Sequence, residues 1–374
     1  MDNTLTPAAQ PPQTRPGTLE SRLTIGLLER VRLIMRGGSV VDWYRLGFET
    51  EQEVVQFLRT NGYDLSDPAD EARLRQLFES AASYLHSDMD TPVPEALWNP
   101  ESVLEPFLIA SLRQTSSGKL HQQRIACILL KIVHTLNHLE ARELRMHLPL
   151  SDKAAFDAVA QGVDTHMTAM AADGYPVVQF TSSRKSRRST ITKLLSKRRA
   201  NAAQILDRLR FRVIVHKLHD VPLVLAEMTR RFLPFNYVVP EETTNLLMNF
   251  RDYAQSLSHL KQSLDALQFD LNLEKTLPLS ADPNECSARE FRMLNFVADI
   301  PIRLGAIMTP EQLEAQSHLG RIIFVNAEFQ MFDHGTWESN EASSTSNHEA
   351  YKRRQRERVK ARLFRGLDSA ARGD

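Results

Sequence analysis

Cysteine is nearly absent from this chain, whose 374 residues include only Cys127 and Cys286. The two lie far apart and share no metal-ligand spacing, which argues against a disulfide scaffold and a cysteine-based zinc site. So few cysteines fit a reducing compartment, and we expect a cytoplasmic location. Long apolar runs are missing as well. None approaches the ~18 residues that span a bilayer, so we expect no membrane partner.

Net charge is also absent, because 46 Lys and Arg balance 46 Asp and Glu. No global field therefore draws the protein toward nucleic acid or lipid. Two local basic clusters nevertheless stand out, at 184–199 and 352–365. Residues 1–19 are rich in Pro, Thr and Gln and lack the apolar stretch of a secretory signal, so we predict a disordered tail. Residues 366–374 are a second predicted tail.

Residues 20–150 are predicted to form a helical domain, because apolar residues recur there at helical spacing. Thr50 and Glu53 form a capping box at the start of one helix. Asp67-Pro68 supplies the N-cap and first position of the next. His134 and His138 lie one turn apart on a further helix, and we interpret them as surface or core histidines rather than metal ligands.

Residues 151–365 mix helical and strand periodicity. The predicted helices lie at 152–172, 185–203, 220–232 and 348–365, the strands at 177–180, 209–216, 237–239, 291–304 and 321–332, and a polar loop at 333–347. A stretch of helix and loop at about 243–287 interrupts this order and is interpreted as an insertion. We therefore predict an α+β fold, in which a helical N-terminal region precedes a mixed β-sheet flanked by helices.

The residues with the most chemical information lie in the first basic cluster. Lys185, Ser189 and Lys193 follow one another at four-residue spacing, which places them on one face of a helix. Asp207 comes just before the alternating strand 209–216. Cations that hold phosphates beside a carboxylate that holds Mg²⁺ are suited to the transfer of a phosphoryl-type group. A solvated basic helix and an aspartate that only ends a helix are the alternatives.

Glu328 is the second acidic candidate. It shares one side of the predicted strand 321–332 with Gln330, while Ala327 and Phe329 lie on the other side. A buried carboxylate without a partner is costly, so Glu328 needs either a metal or a cationic side chain. The alternative to a metal is a salt bridge to an arginine.

Taken in order, these residues resemble the synthetase domain of the RelA/SpoT family, which transfers pyrophosphate from ATP to the 3′-hydroxyl of a guanine nucleotide. The resemblance covers roughly residues 150–360 without the insertion. Four motifs carry the resemblance: Lys185-x-x-x-Ser189-x-x-x-Lys193, Asp207-x-x-x-x-Arg212, Glu328-Phe329-Gln330 and His348-Glu349-Ala350-Tyr351-Lys352. A fifth family motif is weakly echoed by Asn236-Tyr237-Val238.

The resemblance implies a nucleotidyltransferase-like fold with sites for ATP and Mg²⁺. Asp207 and Glu328 would be the catalytic residues and would coordinate the metal. Glu328 would also take the proton from the attacking hydroxyl.

The resemblance also assigns substrate-binding residues. Lys185, Lys193 and Arg212 would neutralise charge on the transferred group, and Ser189 would donate a hydrogen bond to phosphate. Tyr237 would flank a base by stacking, together with Phe291.

The acceptor element departs from the family pattern. Where the family has Gly-Tyr-x-Ser-x-His, residues 290–295 here are EFRMLN, so Phe291 keeps a ring but the serine and histidine are absent. The expected acceptor is therefore a guanine nucleotide or the 3′ end of an RNA such as tRNA. The alternative function is a non-catalytic, degenerate nucleotidyltransferase fold that senses nucleotides or binds RNA. Oligomeric state is not indicated by the sequence.

Overall fold

The computed structural model describes residues 19–39, 46–112, 117–196, 208–257, 260, 291–309, 319–343 and 348–364. Within these ranges the chain has the predicted α+β architecture, with a helical N-terminal region and a five-stranded mixed sheet flanked by helices. Among the described residues, no helix combines the length and the apolar character needed to cross a bilayer.

The helical region begins with a short 3-10 turn at Leu19–Arg22. Its helices are α1 (Ile25–Arg36), α2 (Glu51–Thr60), α3 (Pro68–Ser87), α4 (Glu95–Trp98), α5 (Glu105–Ser111), α6 (Ser117–His147) and α7 (Asp152–Ala172). The predicted caps are confirmed. Thr50 accepts a hydrogen bond from the backbone N–H of Glu53 at 3.3 Å, and Asp67 accepts one from Ala69 at 3.0 Å. These bonds satisfy N–H groups that have no partner within their own helix.

The sheet has the order β1-β2-β5-β4-β3. Its strands are β1 (Val177–Arg184), β2 (Leu209–Val215), β3 (Thr244–Asn245), β4 (Leu294–Arg303) and β5 (Ile322–Asp333). The β2–β5 pair is parallel, and the β1–β2, β5–β4 and β4–β3 pairs are antiparallel. The strands predicted around β2, β4 and β5 are confirmed, and β1 extends to Arg184, beyond its predicted end.

The other helices are α8 (Arg187–Ser196), α9 (Asp220–Arg231), α10 (Phe250–Ser256), α11 (His334–Ala342) and α12 (His348–Leu363). The loop predicted at 333–347 is wrong over the span of α11. Asp333 caps this helix by accepting a hydrogen bond from the Thr336 N–H at 3.1 Å, and a good cap stabilises a helix start even in a polar sequence. Within the predicted insertion, the structure describes β3 and α10, while 258–259 and 261–290 lie outside the described residues.

The strand predicted at 237–239 is also wrong. Phe235–Tyr237 is a 3-10 turn, and Val238 makes only a single bridge to Ala298 of β4. Pro234 and Pro240 flank this segment, and proline lacks the N–H group that a strand ladder requires.

A single hydrophobic core joins the helical region to the sheet. It includes Leu28 of α1 and Phe57 of α2 together with Phe211 of β2 and Phe329 of β5. Helices α1 and α2 pack against α9, and α6 packs against β5. The predicted boundary at residue 150 therefore does not separate two cores.

Candidate functional site

The two sides of the sheet differ in polarity. Side chains of directly paired residues point to the same side, so the register defines two rows that cross one side of the sheet. The first row is Ser183, Arg210, Glu328 and Val297, and the second is Thr181, Arg212, Gln330 and Asn295. We call these two rows the polar face. The opposite side packs in the apolar core, so the polar face is the side of the sheet available for chemistry.

Glu328 lies in the middle of the polar face and is only 8% exposed. Its Oε2 accepts a hydrogen bond from Arg210 Nε at 2.5 Å. Gln330 donates from Nε2 to Glu328 Oε1 at 3.5 Å. The cationic partner that a buried carboxylate requires is therefore Arg210, which is the salt-bridge alternative of the sequence analysis.

Arg212 occupies the second row. Its guanidinium lies over the Trp337 ring, 4.4 Å from the centroid. Burial, followed by the charge of Arg210, lowers the pKa of Arg212. Arg212 Nε and Asn295 Oδ1 are buried, and neither has a hydrogen-bond partner among the described residues. Such atoms carry a desolvation cost of roughly 1–3 kcal/mol each, so a ligand that offers an acceptor to Arg212 would be stabilised there.

The predicted phosphate-binding residues lie beyond the end of β1, next to the Glu328 row. Helix α8 begins two residues after Lys185, because Ser186 Oγ accepts a hydrogen bond from the Ser189 N–H at 3.2 Å and caps the helix. Ser189 and Lys193 are helical, whereas Lys185 precedes the helix and donates its backbone N–H to Arg208 O at 2.9 Å. The prediction that all three lie on one helix is therefore wrong for Lys185.

Asp207 belongs to 197–207, outside the described residues, and its role as a metal ligand stays a prediction. Among the described residues, no three His, Cys, Asp or Glu side chains lie close enough together to hold a metal ion. Arg210 already neutralises the Glu328 carboxylate. In this arrangement the described part of the polar face does not fit Mg²⁺.

Tyr237 and Phe291 lie at opposite ends of β5. The Tyr237 ring packs on Phe324 at 4.3 Å, and the Phe291 ring contacts Phe332 at 6.2 Å. Phe324 and Phe332 are eight residues apart on β5, which corresponds to about 26 Å at ~3.3 Å per residue. The two rings therefore cannot flank the same base. Of the two rings, Phe291 is the one closer to Arg212. Phe332, which Phe291 contacts, also packs against Trp337 at 5.3 Å, and Arg212 lies over the Trp337 ring.

Tyr237 takes part in a buried polar network that joins the helical region to the sheet. Tyr63 donates its hydroxyl to Asn137 Oδ1 at 2.8 Å, and Asn137 Nδ2 donates to the Tyr237 hydroxyl at 2.7 Å. Burial raises the pKa of Tyr237. His138 Nε2 lies 2.9 Å from Asp299 Oδ2 at the same end of the sheet. These contacts indicate that Tyr237 fixes the position of α6 on the sheet.

His134, whose ring packs against Tyr237 at a centroid distance of 4.4 Å, gives the protein a pH-dependent stability. Burial, and then the charge of His138, lowers the pKa of His134 to about 3. In the unfolded chain the pKa is about 6.5, so the unfolded state binds the extra proton first. The contribution of neutral His134 to the free energy of unfolding is therefore complete above about pH 6.5 and is lost as pH falls toward the folded-state pKa.

We therefore expect the free energy of unfolding of the wild type to fall more steeply than that of His134→Gln below about pH 6, by up to ~1.4 kcal/mol per pH unit. Urea unfolding between about pH 7 and pH 5 measures this difference. His147→Gln is the matched control, because the His147 side chain is 53% exposed. Parallel pH slopes for wild type and His134→Gln would contradict this result.

The sequence analysis missed Arg210 and Trp337 at the candidate site, and also the contact between His138 and Asp299 at the other end of the sheet. Arg210 could have been found, because its two-residue spacing from Arg212 places both on one side of a strand. Trp337 and Asp299 could not have been found from local pattern. Trp337 contacts Arg212, which is 125 positions away in the chain. Asp299 contacts His138, which is 161 positions away.

Comparison with known protein families gives no match, and comparison with curated proteins gives none. Solved structures give matches at low identity. Small alarmone synthetase 2 from Bacillus subtilis is 17% identical over 58% of this chain and 92% of its own, with a TM-score of 0.29. Small alarmone synthetase 1 from Bacillus subtilis, bound to its product pppGpp, is 14% identical over 59% and 91%, with a TM-score of 0.31.

A GTP pyrophosphokinase family protein from Streptococcus pneumoniae is 11% identical over 58% of this chain and 86% of its own, with a TM-score of 0.28. TM-scores this low carry no inference about the activity of this chain.

Proposed function

We propose that this protein binds ATP on the polar face and transfers its pyrophosphoryl group to a hydroxyl of a guanine nucleotide. The observation that carries the proposal is the adjacency of Arg210 and Glu328 in one row and Arg212 in the next. Two guanidinium groups can hold a phosphate chain, and the carboxylate beside them can accept a proton within the same few ångströms.

In the proposed reaction, the acceptor oxygen forms a bond to the β-phosphorus of ATP. The bond between that phosphorus and the oxygen bridging to the α-phosphate breaks, and AMP leaves with the bridging oxygen. Glu328 takes the hydroxyl proton. Arg212 stabilises the charge that develops on the transferred group, together with Lys185 and Lys193, and Ser189 donates a hydrogen bond to phosphate. Phe291 is proposed to stack on a base.

Arg210 sets a condition on this chemistry. While its guanidinium holds Glu328, the Oε2 oxygen of the carboxylate accepts a hydrogen bond from Arg210 and is not available to the acceptor hydroxyl. A triphosphate carries more negative charge than one carboxylate and is expected to draw Arg210 toward itself. Coordination of Mg²⁺ by Asp207 and Glu328 stays a prediction of the family resemblance and requires the same movement of Arg210.

The experiment that tests the proposal follows two labels. The protein is incubated with ATP labelled at the α- or the γ-phosphate, with GDP, GTP or tRNA as acceptor, and with or without Mg²⁺. Pyrophosphoryl transfer places the γ label on the acceptor and leaves labelled AMP from the α label. Nucleotidyl transfer places the α label on the acceptor and releases pyrophosphate. If the γ label reaches no acceptor while the protein stays folded, the proposal is wrong.

A second candidate function is a nucleotide sensor without transferase activity. The Arg210–Glu328 ion pair favours it, because it neutralises the only acid of the two polar rows. A sensor would bind ATP on the polar face and transfer neither label.

Trp337 is expected to report nucleotide binding. Because Arg212 lies over its ring, phosphates that attract this guanidinium should change the Trp337 fluorescence on titration with ATP. The measurement compares wild type with Trp337→Phe, which should lose the change, and with Trp98→Phe, which should keep it. Trp98 lies on α4 of the helical region. If the ATP-induced fluorescence change persisted in Trp337→Phe, Trp337 would not be its source, and nucleotide binding would be assigned to another part of the protein.

A further inference from the structure

The two basic clusters of the sequence lie side by side in the fold. Helix α12 packs against α8. Arg362 of α12 donates from Nη1 to the backbone O of Leu195 at 2.9 Å, across 167 positions of sequence. Ala350 in the first turn of α12 is 2% exposed, so this helix is anchored at both ends. The fold has therefore joined two cationic helices that the sequence keeps apart.

These helices concentrate charge of one sign. Together α8 and α12 carry ten Lys and Arg and only two Glu, in a chain whose formal net charge is zero. Five of these cations are exposed and form no ion pair among the described residues: Arg187, Arg188, Arg353, Arg356 and Lys360. We call these five residues the basic surface. Like charges on packed helices repel each other, so a polyanion that contacts both helices would remove this cost.

We propose that the basic surface binds the phosphate backbone of double-helical nucleic acid. Seven of the ten cations are arginines, whose planar forks match phosphate oxygens. Helix α12 has 16 residues, or about 24 Å at ~1.5 Å per residue. That length corresponds to about seven successive phosphates of one strand at ~3.4 Å each. The surface thus matches a duplex in charge density and in length.

A single strand and a membrane fit the basic surface less well. Single strands are held by aromatic side chains on which their bases stack. Apart from His348, the two helices contain one aromatic residue, Tyr351, whose hydroxyl accepts a hydrogen bond from Gln355 at 2.8 Å. A helix that lies on lipid needs an apolar side. The large exposed apolar side chains are a single one on α8, Ile191, and Leu363 and Phe364 at and just beyond the end of α12, so neither helix has a continuous apolar side.

Fluorescence anisotropy with the full chain tests this proposal. The probes are labelled RNA and DNA duplexes of about 20 base pairs, which exceed the length of α12. Arg353→Glu/Arg356→Glu/Lys360→Glu should weaken duplex binding at least roughly tenfold and lower the slope of log Kd against log salt by about three, one for each phosphate contact. The glutamine version of this triple variant should lower the slope equally, because it removes the same contacts and adds no repulsion.

The control triple variant reverses Lys119, Arg124 and Arg142, which are exposed on α6, and should bind like the wild type. The proposal is overturned if wild type fails to bind either duplex or if the α12 variants bind normally. It is also overturned if a single-stranded RNA of equal length, or vesicles with anionic lipid, bind more tightly than the duplexes. ATP-induced change of Trp337 fluorescence should persist in the α12 variants, so this test does not depend on the proposed transferase activity.

Discussion

Glu328→Gln is expected to reduce pyrophosphoryl transfer by roughly 10²–10⁴-fold. Glutamine preserves the shape of the side chain but cannot take the proton from the attacking hydroxyl. It also ends the ion pair with Arg210, which removes the carboxylate that competes with phosphate for that guanidinium. ATP binding, followed by Trp337 fluorescence, should therefore be retained or strengthened while the rate falls. The measurement is the steady-state rate of γ-label transfer at saturating ATP.

Glu338→Gln is the control for this prediction. Glu338 lies on α11, close to Trp337, and its side chain is 66% exposed. The Glu338→Gln protein should transfer the γ label at the wild-type rate. A Glu328→Gln protein with the wild-type rate would show that Glu328 has no catalytic role, and the Arg210–Glu328 pair would then be a structural salt bridge.

Phe329→Ala is expected to have the largest effect on stability, at about 3–5 kcal/mol in the free energy of unfolding. Phe329 is fully buried on the apolar side of β5. Its ring stacks on Phe211 at 5.1 Å and on Phe296 at 5.2 Å, which ties the three central strands together. Truncation removes both contacts and leaves a cavity between closely packed strands. Urea unfolding followed by far-UV circular dichroism measures the loss.

Phe364→Ala supplies the matched comparison, because this phenylalanine is 51% exposed just beyond α12. Its free energy of unfolding should stay within about 0.5 kcal/mol of the wild type. If Phe329→Ala were equally mild, the apolar side of the sheet would not be the core of the protein, and the assignment of the two sides would have to be reversed.

The sequence predicted the sheet well where period-two alternation is long. The strands β2, β4 and β5 were found because buried apolar residues recur at every second position along each of them, with polar residues at several of the positions between. Caps at Thr50 and Asp67 were found because they depend on neighbouring residues only. The helix α11 was missed because its sequence is polar and its cap, Asp333, lies inside the last strand. Local periodicity could not indicate that a strand residue also starts a helix.

The candidate site was only partly predictable. Glu328 was correctly placed on the same side of β5 as Gln330, because that relation follows from alternation alone. Its partner Arg210 is 118 positions away, and the parallel pairing of β2 with β5 that joins them is a tertiary fact. The same limit applies to Tyr237 and Phe291, whose separation along β5 became apparent only from the positions of Phe324 and Phe332.

A crystal structure with a non-hydrolysable ATP analogue and Mg²⁺ is the most direct test of the claim that the polar face is the nucleotide site. We expect phosphate oxygens to lie within hydrogen-bond distance, about 2.7–3.2 Å, of the guanidinium of Arg212, with Arg210 turned away from Glu328 toward the phosphates. A nucleotide bound away from both polar rows, with the Arg210–Glu328 pair unchanged, would contradict it.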